Sequence, residues 1–156
     1  MLEKLDPSFQ GKALFLGHRR LSILELSPLG YQPMVCDGIA IVFNGEIYNY
    51  EEIREDLQKK GIIFKTRSDT EVVLRAYEYF GGSCFSKFNG QFAILIWDRI
   101  NKELTIARDR YGVRPLYILK YNGAYYFSSE MKAFDAINGF KRSMDRNNII
   151  THALTW

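Results

Sequence analysis

Three short stretches hold side chains that could act together on one small molecule. Arg20 lies in "GHRRLSI", Asn44, Gly45 and Glu46 in "IVFNGEIYNY", and Asp69 in "TRSDTE". An arginine fork binds a carboxylate through two parallel hydrogen bonds, and a carboxylate takes an ammonium. An Asn amide and the N–H of the following Gly are two donors suited to a developing oxyanion. Glycine also lets a backbone N–H come close to a substrate. Such a set would hold a free amino acid by both its charged groups and polarise a carbonyl further along. Each stretch also has a plain reading: "HRR" as a solvated basic turn, "NG" as a tight turn, "SDTE" as a helix cap. Residue types alone leave both readings open.

The elements that must position these residues are legible in part. "GIAIVF" at 38–43 reads as a strand with little alternation, which predicts that both faces are covered. Asn44–Gly45 would ordinarily turn such a strand into a hairpin. A helix pattern follows instead, so the strand is expected to stop at Asn44. The first helix has Asn49 as its N-cap, Glu52 three residues on as a capping box, Lys59 and Lys60 near its end, and Gly61 as the stop. "IIFKT" at 62–66 reads as a strand. Ser68 and Glu71 then repeat the helix-start signature, and Gly81–Gly82 closes that second helix. "SPLGYQPM" reads as a Pro/Gly loop. "QFAILIWD", "ELTIAR", "PLYILKY" and "AYYFSS" read as antiparallel strands, with a hairpin at Asn122–Gly123 and a short closing helix at "SEMKAF". The expected domain is 1–137, with an irregular tail at 138–156.

Composition limits the function classes. In 156 residues, 47% are apolar and 15% aromatic, which fits a folded domain with a real core. Net charge is +3 with acids and bases interspersed, so no nucleic-acid partner is expected. The longest apolar run, "FAILIW", is too short to span a bilayer, and "MLEKLDPSFQGK" has no apolar signal core. No membrane partner is expected, and a cytoplasmic location is the simplest reading. Cys36 and Cys84 lie in unrelated contexts, with neither metal-ligand spacing nor a disulfide framework.

The order of "LGHRRLSILELSPLGYQPM", "IVFNGEIYNY", "TRSDTEVVLRAYEYFG", "FNGQFAILIWD", "ARDRYGVRPLY" and "FSSEMKAF" resembles the class II glutamine amidotransferase domain from about Leu14 to Phe134. "NG", "SDxE" and "RDxxGxRPL" are shared with purine and hexosamine amidotransferases. "GHRRLSI", "QPM" and "NGEIYN" favour the branch of glutamine-hydrolysing asparagine synthetases. The resemblance implies an α+β fold of the N-terminal-nucleophile hydrolase type, a four-layer sandwich of two antiparallel sheets between helices. It implies glutamine as ligand. Arg20 would hold the α-carboxylate, backbone near Ile23 and Leu24 would border the substrate, and Asn44 and Gly45 would form the oxyanion hole. Glu46 and Asp69 would hold the amino-acid end, with Asp69 the main ammonium partner.

This chain departs from that pattern in two ways. The family's nucleophile is a Cys at the mature N-terminus, whose own α-amine serves as base, because the thiolate is the reactive form. Here the sequence opens "MLEK", and the first strand with its Cys is expected to be missing. "CDGIAIVF" at 36–43 is rejected as a disguised start, since cleavage there would discard Arg20. Nothing after residue 134 resembles the ATP-binding "SGGxDS" loop of the family's synthetase half. No cofactor is therefore expected in this chain, with ATP and magnesium belonging to that other half. The expected function is a glutaminase domain that binds glutamine for asparagine biosynthesis, inactive as this chain, beside a synthetase domain or subunit. The alternatives are a non-catalytic glutamine-sensing or docking module, and an amidotransferase that modifies sugars or small metabolites.

Overall fold

A computed structural model describes residues 2–4, 13–19 and 28–143. Arg20, Ile23 and Leu24 lie outside the described residues. The fold is α+β with two antiparallel sheets, as the order of patterns predicts. It divides into two compact units between Arg114 and Pro115.

Among the described residues, the first unit holds five strands and two α-helices: β1 (Leu2–Lys4), β2 (Met34–Cys36), β3 (Ile39–Ile47), α1 (Tyr50–Lys59), α2 (Asp69–Phe80), β4 (Gly90–Asp98) and β5 (Glu103–Arg108). The sheet order is β1-β5-β4-β3-β2, antiparallel throughout. The first residues, which show no strand pattern in sequence, nonetheless pair with β5 at Thr105–Ala107. Ile39, Ile41, Phe43 and Ile47 alternate with half-buried residues. Only one face of β3 is thus fully covered, not both as its sequence predicts. That face joins Ile94 and Ile96 of β4 and packs with Ile53 and Leu57 of α1 and Val72, Val73 and Ala76 of α2. The two helices present apolar stripes at helical spacing, and both stripes join this core.

The second unit, described by itself, is the hairpin β6 (Tyr117–Tyr121) and β7 (Ala124–Ser128) followed by a 3-10 helix at Met131–Ala136. Asn122 and Gly123 both have positive φ, 48° and 73°. Those are the angles of a two-residue hairpin turn whose twist matches the strands. Phe140 packs edge-on against Tyr121 and Phe134.

Several local expectations change. Asn49 does occupy the N-cap of α1, but its side chain makes no capping bond. It bridges instead to the loop before β4, donating to the Lys87 carbonyl and accepting from the Asn89 N–H. The α1 end follows the sequence: the Ile62 N–H reaches back to Leu57 and the Gly61 N–H to Gln58, with Gly61 at φ 86°. Residues 62–66 are not a strand. The N–H groups of Lys65 and Thr66 bond to the Glu71 carboxylate at 2.8 and 2.6 Å, so no sheet is needed to satisfy them. The hairpin that Asn44–Gly45 does not make is made earlier, at Asp37–Gly38 (φ 46° and 88°), where β2 turns into β3. Of the stretch read as a Pro/Gly loop, only its last residue, Met34, is strand.

Candidate functional site

β3 does not stop at Asn44. It runs through Asn44, Gly45 and Glu46 to Ile47, paired with Ala93, Phe92, Gln91 and Gly90 of β4. The backbones come unusually close there. Gly45 has φ 148°, and a Cβ on it would sit 2.0 Å from the Gln91 carbonyl oxygen and 2.7 Å from Phe92 Cα. A Cβ on Gly90 would sit 2.2 Å from the Glu46 carbonyl oxygen. "NG" recurs at 44–45 and 89–90 because both strands need a glycine where they approach, not because either turns.

The pairing fixes where the backbone donors point. In an antiparallel ladder, alternate residues face the partner strand. The Tyr48 N–H reaches Asn89 of the β4 side, so even-numbered residues of β3 face β4 and odd-numbered ones face away. β2 covers that outer edge only as far as Ile41. The next outward N–H, on Phe43, is taken by the Gln32 side-chain oxygen at 2.6 Å. The one on Ile47 is taken by Asp69 Oδ2 at 3.3 Å. Between them lies the N–H of Gly45, about 7 Å from either along the strand. Among the described residues it has no acceptor. Asn44 and Glu46, being even-numbered, carry their side chains on the face opposite the helices. All three residues of this segment are half-buried.

Asp69 reaches this edge because α2 begins there. Ser68 caps the helix, accepting the Glu71 N–H at 3.2 Å. Its reciprocal partner is diverted, since the Glu71 carboxylate holds Lys65 and Thr66 instead. Arg54 of α1 fixes the approach, donating to the carbonyls of Thr66 and Ser68 at 2.8 and 3.1 Å over the Phe64 ring. Ser68, Asp69, Thr70 and Glu71 are all buried. Burial pushes the Asp69 carboxyl above its ordinary value and the nearby Glu46 charge adds to this, against the N–H groups of Ile47 and Thr70. A buried carboxyl beside a second acid favours a cationic partner.

The structure therefore brings Asn44, Gly45, Glu46 and Asp69 to one sheet edge. A second ordered centre lies at "RDRYGVR", a stretch that the sequence reading names as a shared motif without assigning it a role. Asp109 Oδ1 accepts the N–H groups of Tyr111 and Val113, and Oδ2 those of Phe92 and Arg114. Burial alone would raise this carboxyl, but the N–H donors outweigh it and hold it below the ordinary range. Arg108 clamps the same loop through the Gly112 and Arg114 carbonyls. An Asp three residues before a Gly, in position to bond the backbone two residues on, was the available signal.

Neither thiol is activated. Cys84 is fully buried, and burial pushes it up to about 12. Cys36, on the β2–β3 hairpin, is raised by burial and by its hydrogen bond to Asp37. No three His, Cys, Asp or Glu side chains among the described residues are grouped to hold a metal ion. Nor is any helix of the described residues long and apolar enough to cross a membrane.

Comparison with known proteins places these features in a family. Residues 6–155 match the model of a family described as glutamine amidotransferase domain. The chain is 43% identical over 132 residues to asparagine synthetase [glutamine-hydrolyzing] 1 of Bacillus subtilis, covering 82% of this chain and 20% of that protein. It is 40% identical over 121 residues to amidase chry2 of Gibberella zeae, covering 76% of this chain and 18% of that one. Among solved structures it resembles the glutamine phosphoribosylpyrophosphate amidotransferase of B. subtilis, with TM-score 0.65 and 30% identity over 76% of this chain and 28% of that one. The chain thus spans about a fifth of the length of these two curated relatives.

Proposed function

The chain belongs to the glutamine amidotransferase domain family, and on that premise we propose that its β3 edge binds glutamine for hydrolysis to glutamate and ammonia. Asp69, with Glu46 beside it, takes the α-ammonium, and Arg20 the α-carboxylate. The Asn44 amide and the Gly45 N–H point at the side-chain carbonyl, where negative charge develops as a thiolate attacks. In this reading the 156 residues supply recognition and oxyanion stabilisation, but not the attacking thiol. The ammonia passes to a synthetase domain or subunit that makes asparagine, where ATP and magnesium do their work. Similarity to the B. subtilis asparagine synthetase at 43% identity supports that acceptor.

The observation that carries the reading is the Gly45 N–H. Its two neighbours on the same edge are satisfied by Gln32 and Asp69. A half-buried donor with no acceptor among the described residues suits a ligand that completes it.

Calorimetric titration of the purified chain with glutamine tests the reading. Weak binding is expected in the wild type. Asp69→Asn is expected to abolish it, because removing one partner of a desolvated charge pair costs about 2–5 kcal/mol. No ammonia release is expected from the purified chain. Equal glutamine binding in Asp69→Asn, or ammonia release that vanishes on Cys36→Ala or Cys84→Ala, contradicts the proposal.

A further inference from the structure

The "QPM" segment contributes a side chain that the glutamine-binding reading does not use. Gln32 is half-buried and makes two bonds in opposite directions. Its Oε1 accepts the Phe43 N–H at 2.6 Å, and its Nε2 donates to Thr70 Oγ1 at 3.3 Å. Phe43 is two residues before Gly45 on the same outward edge. Thr70 is the residue after Asp69, buried in the first turn of α2. The β3 edge is therefore fastened to the start of α2 at two points, one on each side of Gly45. One is direct, from the Ile47 N–H to Asp69 Oδ2 at 3.3 Å. The other runs through Gln32.

We propose that Gln32 is a positioning residue that sets the gap between the Gly45 N–H and the Asp69 carboxylate, and so selects the length of the amino acid bound. This rests on the site reading above. A ligand held at its ammonium by Asp69 must place its side-chain carbonyl at Gly45. Asparagine is one methylene shorter than glutamine, so a fixed gap favours one over the other. The core packing of Val72, Val73 and Ala76 holds the body of α2 on the sheet, but with only the Ile47–Asp69 bond the first turn would have one polar tie to the β3 edge and the gap would soften. With both, the first turn of the helix cannot rotate away from the strand. A primary amide suits this role because one end accepts from a backbone N–H while the other donates to a hydroxyl.

The test uses the 156-residue chain with Thr70→Val, Thr70→Ser and Gln32→Met. Thr70→Val removes the acceptor for Gln32 Nε2 and leaves the Phe43 bond in place, so it avoids an orphaned strand donor. Thr70→Ser keeps the acceptor and serves as the rescue. Two quantities are read: the ratio of glutamine to asparagine affinity, and hydrogen exchange of the Ile47 amide, which needs no ligand. Thr70→Val and Gln32→Met are each expected to weaken glutamine about three- to tenfold, the scale of one hydrogen bond, and to lower the glutamine-to-asparagine ratio. Both are expected to speed Ile47 exchange, with Thr70→Ser close to wild type on both readouts. If glutamine binds the wild type and the affinity ratio and Ile47 exchange are unchanged in Thr70→Val, the Gln32 inference is wrong and the site reading stands. If no protein binds glutamine, the site reading fails, and Gln32 loses its role in ligand selection with it. Ile47 exchange that still rises in Thr70→Val would then identify a fastening of strand to helix only.

Discussion

Gly45→Ala offers a graded test of why β3 and β4 require glycine where they cross. Two separate penalties are expected. The first is conformational: φ 148° is a region L-residues rarely adopt, and holding one there costs about 1–3 kcal/mol. The second is steric. The added Cβ would lie 2.0 Å from the Gln91 carbonyl oxygen and 2.7 Å from Phe92 Cα, both backbone atoms that cannot rotate aside. The strands must part, weakening ladder bonds worth about 1 kcal/mol each on either side. The sum is about 3–5 kcal/mol, a large share of the 5–15 kcal/mol typical of a domain. Gly61→Ala is the internal control. Gly61 also has positive φ, 86°, but nothing lies within 4 Å of its Cβ position. It is expected to lose only the conformational part, about 1 kcal/mol. Gly90→Ala supplies the other part alone, a Cβ 2.2 Å from the Glu46 carbonyl oxygen without positive φ. Urea unfolding of the three variants, followed by circular dichroism, ranks them. Gly45→Ala losing no more stability than Gly61→Ala would refute the close-approach reasoning.

Asp109→Asn is expected to lose about 3 kcal/mol, because one of the two oxygens becomes an NH2 group facing two N–H donors; thermal melts check this. The folded Asp109 carboxyl lies below its ordinary value, so its stabilisation is present above the unfolded value and is lost as pH falls through the folded one. Acid melts of Asp109→Asn should lack that component. Asp69 has the opposite sign. Its folded value is raised, so the fold keeps a proton the unfolded chain has shed, and stability declines as pH rises through that window. Ligand ammonium needs the charged form, so glutamine affinity should increase over the same window, and calorimetry across pH reads it. Cys84 should resist iodoacetamide in the native protein at pH 8 and react once unfolded, as mass spectrometry would show.

Residues whose signal is local were legible. Ser68 caps α2 and accepts from Glu71 as its spacing predicts, and Gly61 and Gly81 end their helices. Asn122–Gly123 turns its hairpin because the dipeptide itself supplies both positive φ values. What escaped depends on distant partners. Ile62, Ile63 and Phe64 look like a strand, but Ile63 is 80% exposed and Glu71, on the next helix, satisfies the backbone that follows. Asn49 has the right type for a cap, yet its amide goes to a loop 38 and 40 residues away. Gly45 was recognised as a place where backbone approaches something closely. That it approaches β4 follows only from the register with Gln91 and Phe92. The candidate residues Asn44, Gly45, Glu46 and Asp69 carry a signal in sequence, while the hydrogen bonds of Gln32 and Asp109 are visible only in the structure.

The backbone amide of Gly45 reports most directly on the proposed site. In 15N-labelled protein, glutamine titrated into the wild type should move the Gly45 amide resonance downfield as it gains an acceptor. The resonance should saturate with the affinity found by calorimetry, and Asp69→Asn should remove the change. A Gly45 amide that stays fixed while glutamine binds and shifts other resonances would contradict the assignment of this edge as the oxyanion donor.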